Sequence, residues 1–128
     1  HGKLNLPAEY GLSWLLPRQI GLPRANDLLL TSRVFLSEEA EQLGLINRVI
    51  EAESLLSETR AYVKSMIDTV SPGSLKASRR QIYSDQHRSV DQAVAESETL
   101  LQAMMKQNDY QEGVAAFLEK RHPVWTAS

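Results

Sequence analysis

The sequence predicts a mostly α-helical protein with one or two short strands, on three observations. Apolar side chains recur at helical spacing through most of the 128 residues. Serine, glycine and proline stand where helices start and stop. Only the run Ile46–Ile50 is dense in β-branched residues, which favour strands.

The first two helices follow from apolar spacing and from proline. One helix face is formed by residues spaced i, i+3, i+4, and Pro17 is expected to interrupt that helix. Pro23 suits the first turn of a second helix, predicted over 23–30, because its missing N–H costs nothing there. The apolar face of the first helix consists of Leu12, Leu15 and Leu16.

The next segment is predicted as an extended piece, a short helix and a strand. Residues 33–36 are expected to be extended, Ser37 to cap a helix that has acids in its first turn, and Gly44 to end it. A strand at Ile46–Ile50 needs a partner for its backbone groups. The sequence offers no second strong strand, which indicates that the chain is part of a larger fold.

Beyond residue 50 every segment is expected to be helical. The serines and the Pro72–Gly73 pair mark the boundaries, with either Ser71 or Ser74 as a cap. The two longest helices carry long apolar stripes on one face. The predicted helices cover 52–70, 71 or 74 to 84, 89–107 and 111–120.

Composition excludes several functions. Fourteen basic against sixteen acidic residues give a net charge of −2, so we expect no nucleic-acid partner. No apolar run reaches the roughly 20 residues of a membrane span. The absence of cysteine excludes disulfides and thiolate metal sites, and the three scattered histidines predict no metal site. These features fit a cytoplasmic protein.

The chain begins at His1 without an initiator methionine. We interpret this start either as a trimmed terminus or as part of a longer protein.

Glu9 is the main candidate for chemistry, since it lies on a loop with Pro7 and Gly11 just before a helix. A helix N-terminus stabilises a carboxylate in its charged form. From spacing alone, an acid that merely caps the helix is the favoured interpretation, and a catalytic acid is the alternative.

Four stretches, taken in order, resemble the crotonase superfamily, the enoyl-CoA hydratase/isomerase family. The opening stretch is similar to the family's P-[DE]-x-G loop and the helix that ends in L-P-R. The last stretch is similar to the family ending E-G-x-x-A-F-x-E-K-R-x-P-x-F/W. The stretches are Leu6–Arg18, Leu30–Arg33, Glu39–Val49 and Glu112–Trp125.

The resemblance implies a CoA-dependent lyase or isomerase that hydrates an acyl-CoA or moves its double bond through a stabilised thioester enolate. Glu9 matches the family's general acid/base, whereas a second acid falls at or before His1. Phe117 and Lys120 match an aromatic and a lysine that contact the CoA adenine and phosphate. From the residues alone, Phe117 serves equally well as core and Lys120 as a solvated charge. No permanent cofactor is implied, because CoA is part of the substrate.

The resemblance also implies the organisation of the chain. Residues 1–50 correspond to the end of the catalytic core of a crotonase-like (ClpP/crotonase spiral) fold, and 51–128 to its C-terminal helical oligomerisation region. A homo-oligomer, a trimer or dimer of trimers, and a role in fatty acid metabolism follow. The family's oxyanion loops lie upstream, so we expect the chain alone to be inactive. The alternative is a non-catalytic helical oligomerisation module.

Overall fold

The computed structural model describes residues 1–126 and confirms the mostly α-helical class. The chain divides into two compact units, the first spanning His1–Leu55 and the second beginning at Leu56. Short 3₁₀ turns lie at Gly2–Leu4 and Asp85–His87. The α-helices of the described residues are α1 Leu12–Ile20, α2 Leu22–Thr31, α3 Ser37–Leu43, α4 Leu55–Thr69, α5 Pro72–Ser84, α6 Val90–Met104 and α7 Asn108–Glu119.

Helix α1 passes through Pro17, so the expected interruption is wrong. Proline removes the one helical hydrogen bond that its N–H would donate, and the remaining turns hold. The helix instead ends at Gly21, which has φ 82° and donates its N–H to the Pro17 carbonyl at 3.1 Å. Arg18 adds a side-chain bond to the Trp14 carbonyl at 2.9 Å and stacks over the Trp14 ring at 3.9 Å.

The core of the first unit forms where α1 and α2 meet. Pro23 lies in the first turn of α2 as predicted, and the helix is one residue longer at each end than expected. Ile20, Ala25 and Leu28 are buried together there. Partly buried apolar side chains pack around them, namely Leu16, Phe35, Leu43 and Leu45.

Arg33 links α2 to α3 through two carboxylates. Its Nε donates to Asp27 at 3.0 Å and its Nη1 to Glu39 at 2.9 Å. The hydrogen bond from Arg33 lowers the pKa of Glu39. Gly44 ends α3 in the left-handed region as predicted, but the N-cap is Leu36, not Ser37.

The strand predicted at Ile46–Ile50 is wrong for the described chain, where these residues form bends and irregular backbone. A strand needs a neighbouring strand for its ladder, and the described residues supply none. Side chains bond this backbone instead: Glu41 accepts from the Val49 N–H at 3.2 Å, and Gln19 donates to the Leu45 carbonyl at 3.0 Å.

The helix caps of the second unit follow the predicted serines. Ser71 accepts from the Ser74 N–H at 3.1 Å and caps α5. Ser89 and Gln92 bond each other's backbone N–H groups in a capping box that starts α6. The last helix, predicted over 111–120, begins earlier, since Asn108 and Asp109 form the first turn of α7, where an acid is favourable.

Little apolar surface is buried in the second unit. Among its described residues only Ala116 is a buried hydrophobic residue. Many large apolar side chains on α4, α6 and α7 are exposed instead, among them Leu56, Ile67, Val90, Leu101, Phe117 and Leu118. Within residues 1–126, no helix has both the length and the apolar character needed to cross a membrane.

Candidate functional site

Glu9 opens a tight turn that leads into α1. The Leu12 N–H donates to the Glu9 carbonyl at 3.0 Å, and the two residues between them, Tyr10 and Gly11, have φ of 53° and 78°. Glycine adopts this left-handed conformation at no steric cost, whereas Tyr10 is strained by it. The turn therefore fixes the backbone of Glu9 just ahead of the first helical N–H groups.

The side chain of Glu9 is exposed. Among the described residues no group donates a hydrogen bond or forms an ion pair to its carboxylate. Only the backbone of Glu9 is thus held in place, and its carboxylate is accessible to a ligand. This arrangement allows a proton-transfer role, but the partly desolvated setting expected for a catalytic acid is not formed within the described chain.

The C-terminus of α7 carries the other two candidate residues. Lys120 is the C-cap, with φ 54° and ψ 41° in the left-handed region. Its N–H and that of Arg121 donate to carbonyls of the last helical turn, at 3.4 Å to Phe117 and 3.1 Å to Ala116. Phe117 and Lys120 are thus brought together in one turn. Glu9 belongs to the other unit.

The chain after Lys120 turns back along α7 and is held there by Glu112. Arg121 grips this carboxylate with two parallel bonds, Nη1 to Oε1 at 2.6 Å and Nη2 to Oε2 at 3.0 Å. Glu112 also accepts from the Val124 N–H at 2.7 Å. These bonds, with that of Arg121 first, lower the pKa of Glu112 to about 2. Glu112 therefore holds both the start and the middle of residues 121–126, which we call the tail.

The end of the described tail is held by the first turn of α7. Asp109 accepts from the N–H and the hydroxyl of Thr126 at 3.0 and 2.7 Å. The ring of Trp125 lies over Gly113, where an added Cβ would meet ring atoms at 3.5 and 3.7 Å. The tail is therefore packed against one face of α7.

Phe117 is exposed by 83% and lines an open cavity of about 780 Å³. The interpretation of Phe117 as plain core is therefore wrong for the described chain. Other apolar residues of the second unit line the same cavity, including Leu101, Met104, Met105, Leu118 and Trp125. An exposed aromatic ring beside an open cavity is available for contact with a planar group.

Lys120 is the better candidate of two cations for binding a phosphate. The guanidinium of Arg121 already donates hydrogen bonds to Glu112, to Glu119 at 2.6 Å and to the His122 carbonyl at 3.1 Å. The Lys120 side chain is exposed and, within residues 1–126, makes no hydrogen bond or ion pair. Within the same residues no three acidic or histidine side chains gather as a metal site.

Sequence reasoning missed the residues that hold the tail, Asp109 and Glu112. Glu112 and Arg121 both belong to the stretch that resembles the family ending, but their direct pairing has no periodic signal in the sequence. The spacing of Asp109, Glu112, Gly113 and Ala116 at i, i+3, i+4 and i+7 marks one helix face, and that pattern was the available clue.

Comparison with protein families gives a match to the family described as Enoyl-CoA hydratase/isomerase over residues 3–128. The chain is 36% identical over 121 residues to the probable enoyl-CoA hydratase EchA12 of Mycobacterium tuberculosis, covering 93% of this chain and 42% of that protein. It is 32% identical over 124 residues to the 1,2-epoxyphenylacetyl-CoA isomerase of Escherichia coli, covering 97% of this chain and 47% of that protein.

Solved structures are similar as well. A probable enoyl-CoA hydratase/isomerase from Mycobacterium abscessus superposes with a TM-score of 0.93 at 26% identity, covering 99% of this chain and 52% of that one. The enoyl-CoA hydratase from Mycobacterium tuberculosis H37Rv gives a TM-score of 0.89 at 31% identity, covering 99% and 50%. The chain spans about half the length of the relatives it matches.

Proposed function

Because the chain belongs to the enoyl-CoA hydratase/isomerase family, we propose that the full-length protein acts on acyl-CoA thioesters by hydration or double-bond isomerisation. The observation that carries this proposal is the agreement of the family match over residues 3–128 with a fold shared with enoyl-CoA hydratases. Both reactions pass through a thioester enolate, whose oxygen must be stabilised by preorganised donors. CoA enters as part of the substrate, with no permanent cofactor.

In this proposal Glu9 is the general acid/base. Its carboxylate is exposed, and its backbone is fixed by the turn of Tyr10 and Gly11, so the group can receive a proton from, or return it to, a carbon of the acyl chain. Positioned acid–base groups of this kind contribute about 10²–10⁴-fold to rate.

Phe117 and Lys120 are proposed to contact the CoA moiety. The exposed ring of Phe117 offers a stacking surface for adenine, and the ammonium of Lys120 offers a charge for a phosphate. Both groups stand in one turn at the end of α7 and are exposed, which fits a contact made from the surface of the second unit.

We also propose that the full-length protein is a cytoplasmic homo-oligomer, a trimer or dimer of trimers, that serves fatty acid metabolism. Exposed apolar residues of α4 and α6 support the association, among them Leu56, Ile67, Val90 and Leu101. Residues 51–128 are assigned to this association, and residues 1–50 to the end of the catalytic core. A helical oligomerisation module without catalysis is the second candidate, favoured by the same exposed faces.

The test is an assay of the full-length protein on crotonyl-CoA and on a 3-enoyl-CoA. Hydration is followed by loss of ultraviolet absorbance of the conjugated thioester, and isomerisation by its gain. Glu9→Gln is expected to lower kcat by about 10²-fold or more, while Glu51→Gln, a matched exposed acid of the same unit, leaves it unchanged.

Turnover of neither substrate by the unchanged protein would contradict the proposed reaction. Such a result would favour the module without catalysis, whereas normal kcat in Glu9→Gln would remove Glu9 from the mechanism. The 128-residue chain alone is expected to be inactive, and enzyme-like turnover by it would contradict that expectation. Light scattering measures the oligomeric state, and a monomer would count against the association.

A further inference from the structure

The tail places two constraints on Lys120, one on each side of it in the sequence. Arg121 follows Lys120 directly, and its Nε donates to Glu119, the residue directly before Lys120, at 2.6 Å. Its Nη1 also donates to the His122 carbonyl at 3.1 Å. One guanidinium therefore links Glu119, which precedes Lys120, to Arg121 and His122, which follow it.

That guanidinium is itself held in place by Glu112, two helical turns earlier in α7. The two parallel bonds between Glu112 and Arg121 fix the plane of the guanidinium as well as its position. Glu112 accepts the Val124 N–H too, so the chain beyond Lys120 has a second attachment to the same carboxylate. The side chain of Glu112 is only 23% exposed, whereas the paired acids Asp85, Glu96 and Asp68 are 30%, 32% and 44% exposed.

The backbone of Lys120 needs this support, because it lies in a conformation that lysine rarely adopts. A φ of 54° brings the Cβ of a non-glycine residue close to its own backbone, and such strain persists only where the surroundings enforce it. The left-handed turn decides where the Lys120 side chain leaves the helix.

We propose that Glu112, acting through Arg121, is a positioning residue that aims the Lys120 ammonium at the phosphates of the CoA substrate. This inference rests on the proposed contact between Lys120 and CoA. Glu112 touches no substrate atom in this scheme. Without it the turn has more freedom, and the entropy of ordering Lys120 must be lost when CoA binds.

The experiment compares two substrates in the full-length protein: crotonyl-CoA, and crotonyl-pantetheine, which lacks the phosphates and the adenine. In Glu112→Gln we expect KM for crotonyl-CoA to rise about threefold to tenfold with kcat unchanged, on the scale of the entropy lost when one long side chain is ordered on binding. The kcat/KM for crotonyl-pantetheine should not change. Arg121→Lys, which keeps the charge but loses the fork, should give a smaller rise in KM.

Glu96→Gln is the matched control. Glu96 pairs with Arg80 at 2.7 Å between α5 and α6 of the same unit, so this variant also removes an ion pair but leaves the turn at Lys120 intact. It should leave both substrates unaffected. Circular dichroism melting of each variant shows whether it is folded, and a loss of kcat/KM on both substrates in Glu112→Gln would assign it a purely structural role and overturn the inference.

Lys120→Ala separates this inference from the function on which it rests. If Lys120→Ala raises KM for crotonyl-CoA and Glu112→Gln does not, the positioning role alone is overturned. If Lys120→Ala leaves KM unchanged, the proposed contact with CoA fails and the positioning role falls with it. A rise in both variants, confined to crotonyl-CoA, supports the inference.

Discussion

Replacing Lys120 by glycine and by alanine gives two variants that lack the same ammonium group but differ in backbone strain. Lys120 has φ 54° at the C-cap of α7. Glycine adopts this conformation freely, whereas alanine keeps the steric conflict of lysine. We expect Lys120→Gly to be the more stable of the two, with both variants impaired equally in binding CoA.

The expected difference in stability between Lys120→Gly and Lys120→Ala follows from two opposing free-energy terms. A left-handed backbone costs a non-glycine residue about 1–2 kcal/mol. Glycine loses about 0.4–1 kcal/mol more than alanine in unfolded-chain entropy on folding. The difference leaves Lys120→Gly more stable than Lys120→Ala by about 1 kcal/mol, which corresponds to a Tm about 3–5 °C higher in a chain of this size.

Two assays check the pair of variants. Circular dichroism melting of the 128-residue chain measures the difference in Tm, and crotonyl-CoA kinetics of the full-length protein measure KM. Equal Tm values would show that the left-handed turn is not maintained in solution and would refute the strain argument. A normal KM in both variants would make Lys120 a solvated charge and nothing more.

Three further predictions concern the tail and the core. Gly113→Ala should raise stability by about 1 kcal/mol, since it improves helix propensity and its Cβ would meet Trp125 at 3.5 Å, an ordinary contact; a lower Tm would mean that Trp125 packs closer. Acid should release the tail only at low pH: the folded pKa of Glu112, about 2, lies below the usual 4.5, so its stabilisation is complete above pH 4.5 and is lost as pH falls through 2. Trp125 fluorescence in a Trp14→Phe background reports this release, and Glu112→Gln should abolish the transition. Leu28→Ala should cost about 2–5 kcal/mol in urea unfolding, because Leu28 is only 6% exposed in the core of the first unit; a loss below 1 kcal/mol would contradict that burial.

Features that depend on a few neighbouring residues were predictable from the sequence. Ser89 and Gln92 form their capping box because the bonds join groups three residues apart. Gly44 ends α3 because only its own backbone must reach the left-handed region. The interruption expected at Pro17 does not occur, because the other turns of α1 outweigh the lost hydrogen bond and the crowding of the proline ring against the preceding turn.

Features that depend on distant partners were not predictable. The β-branched residues of Ile46–Ile50 favour a strand, but a strand forms only if another strand lies beside it, and the described chain has none. The pairing of Glu112 with Arg121 joins a helix to the irregular tail after it, and no periodic pattern spans such a pair. The family resemblance pointed to Glu9, Phe117 and Lys120, but not to what holds them.

The two sides of α7 explain why a tail is docked on this helix at all. One face carries carboxylates and small residues and is filled by the protein's own tail, with Trp125 over Gly113. Phe117 lies beside that face and stays 83% exposed. Because the tail occupies this face, it leaves the Phe117 ring and the Lys120 ammonium exposed in the last turn of the helix. The arrangement that stabilises the end of α7 thus also leaves its two candidate ligand-binding groups accessible.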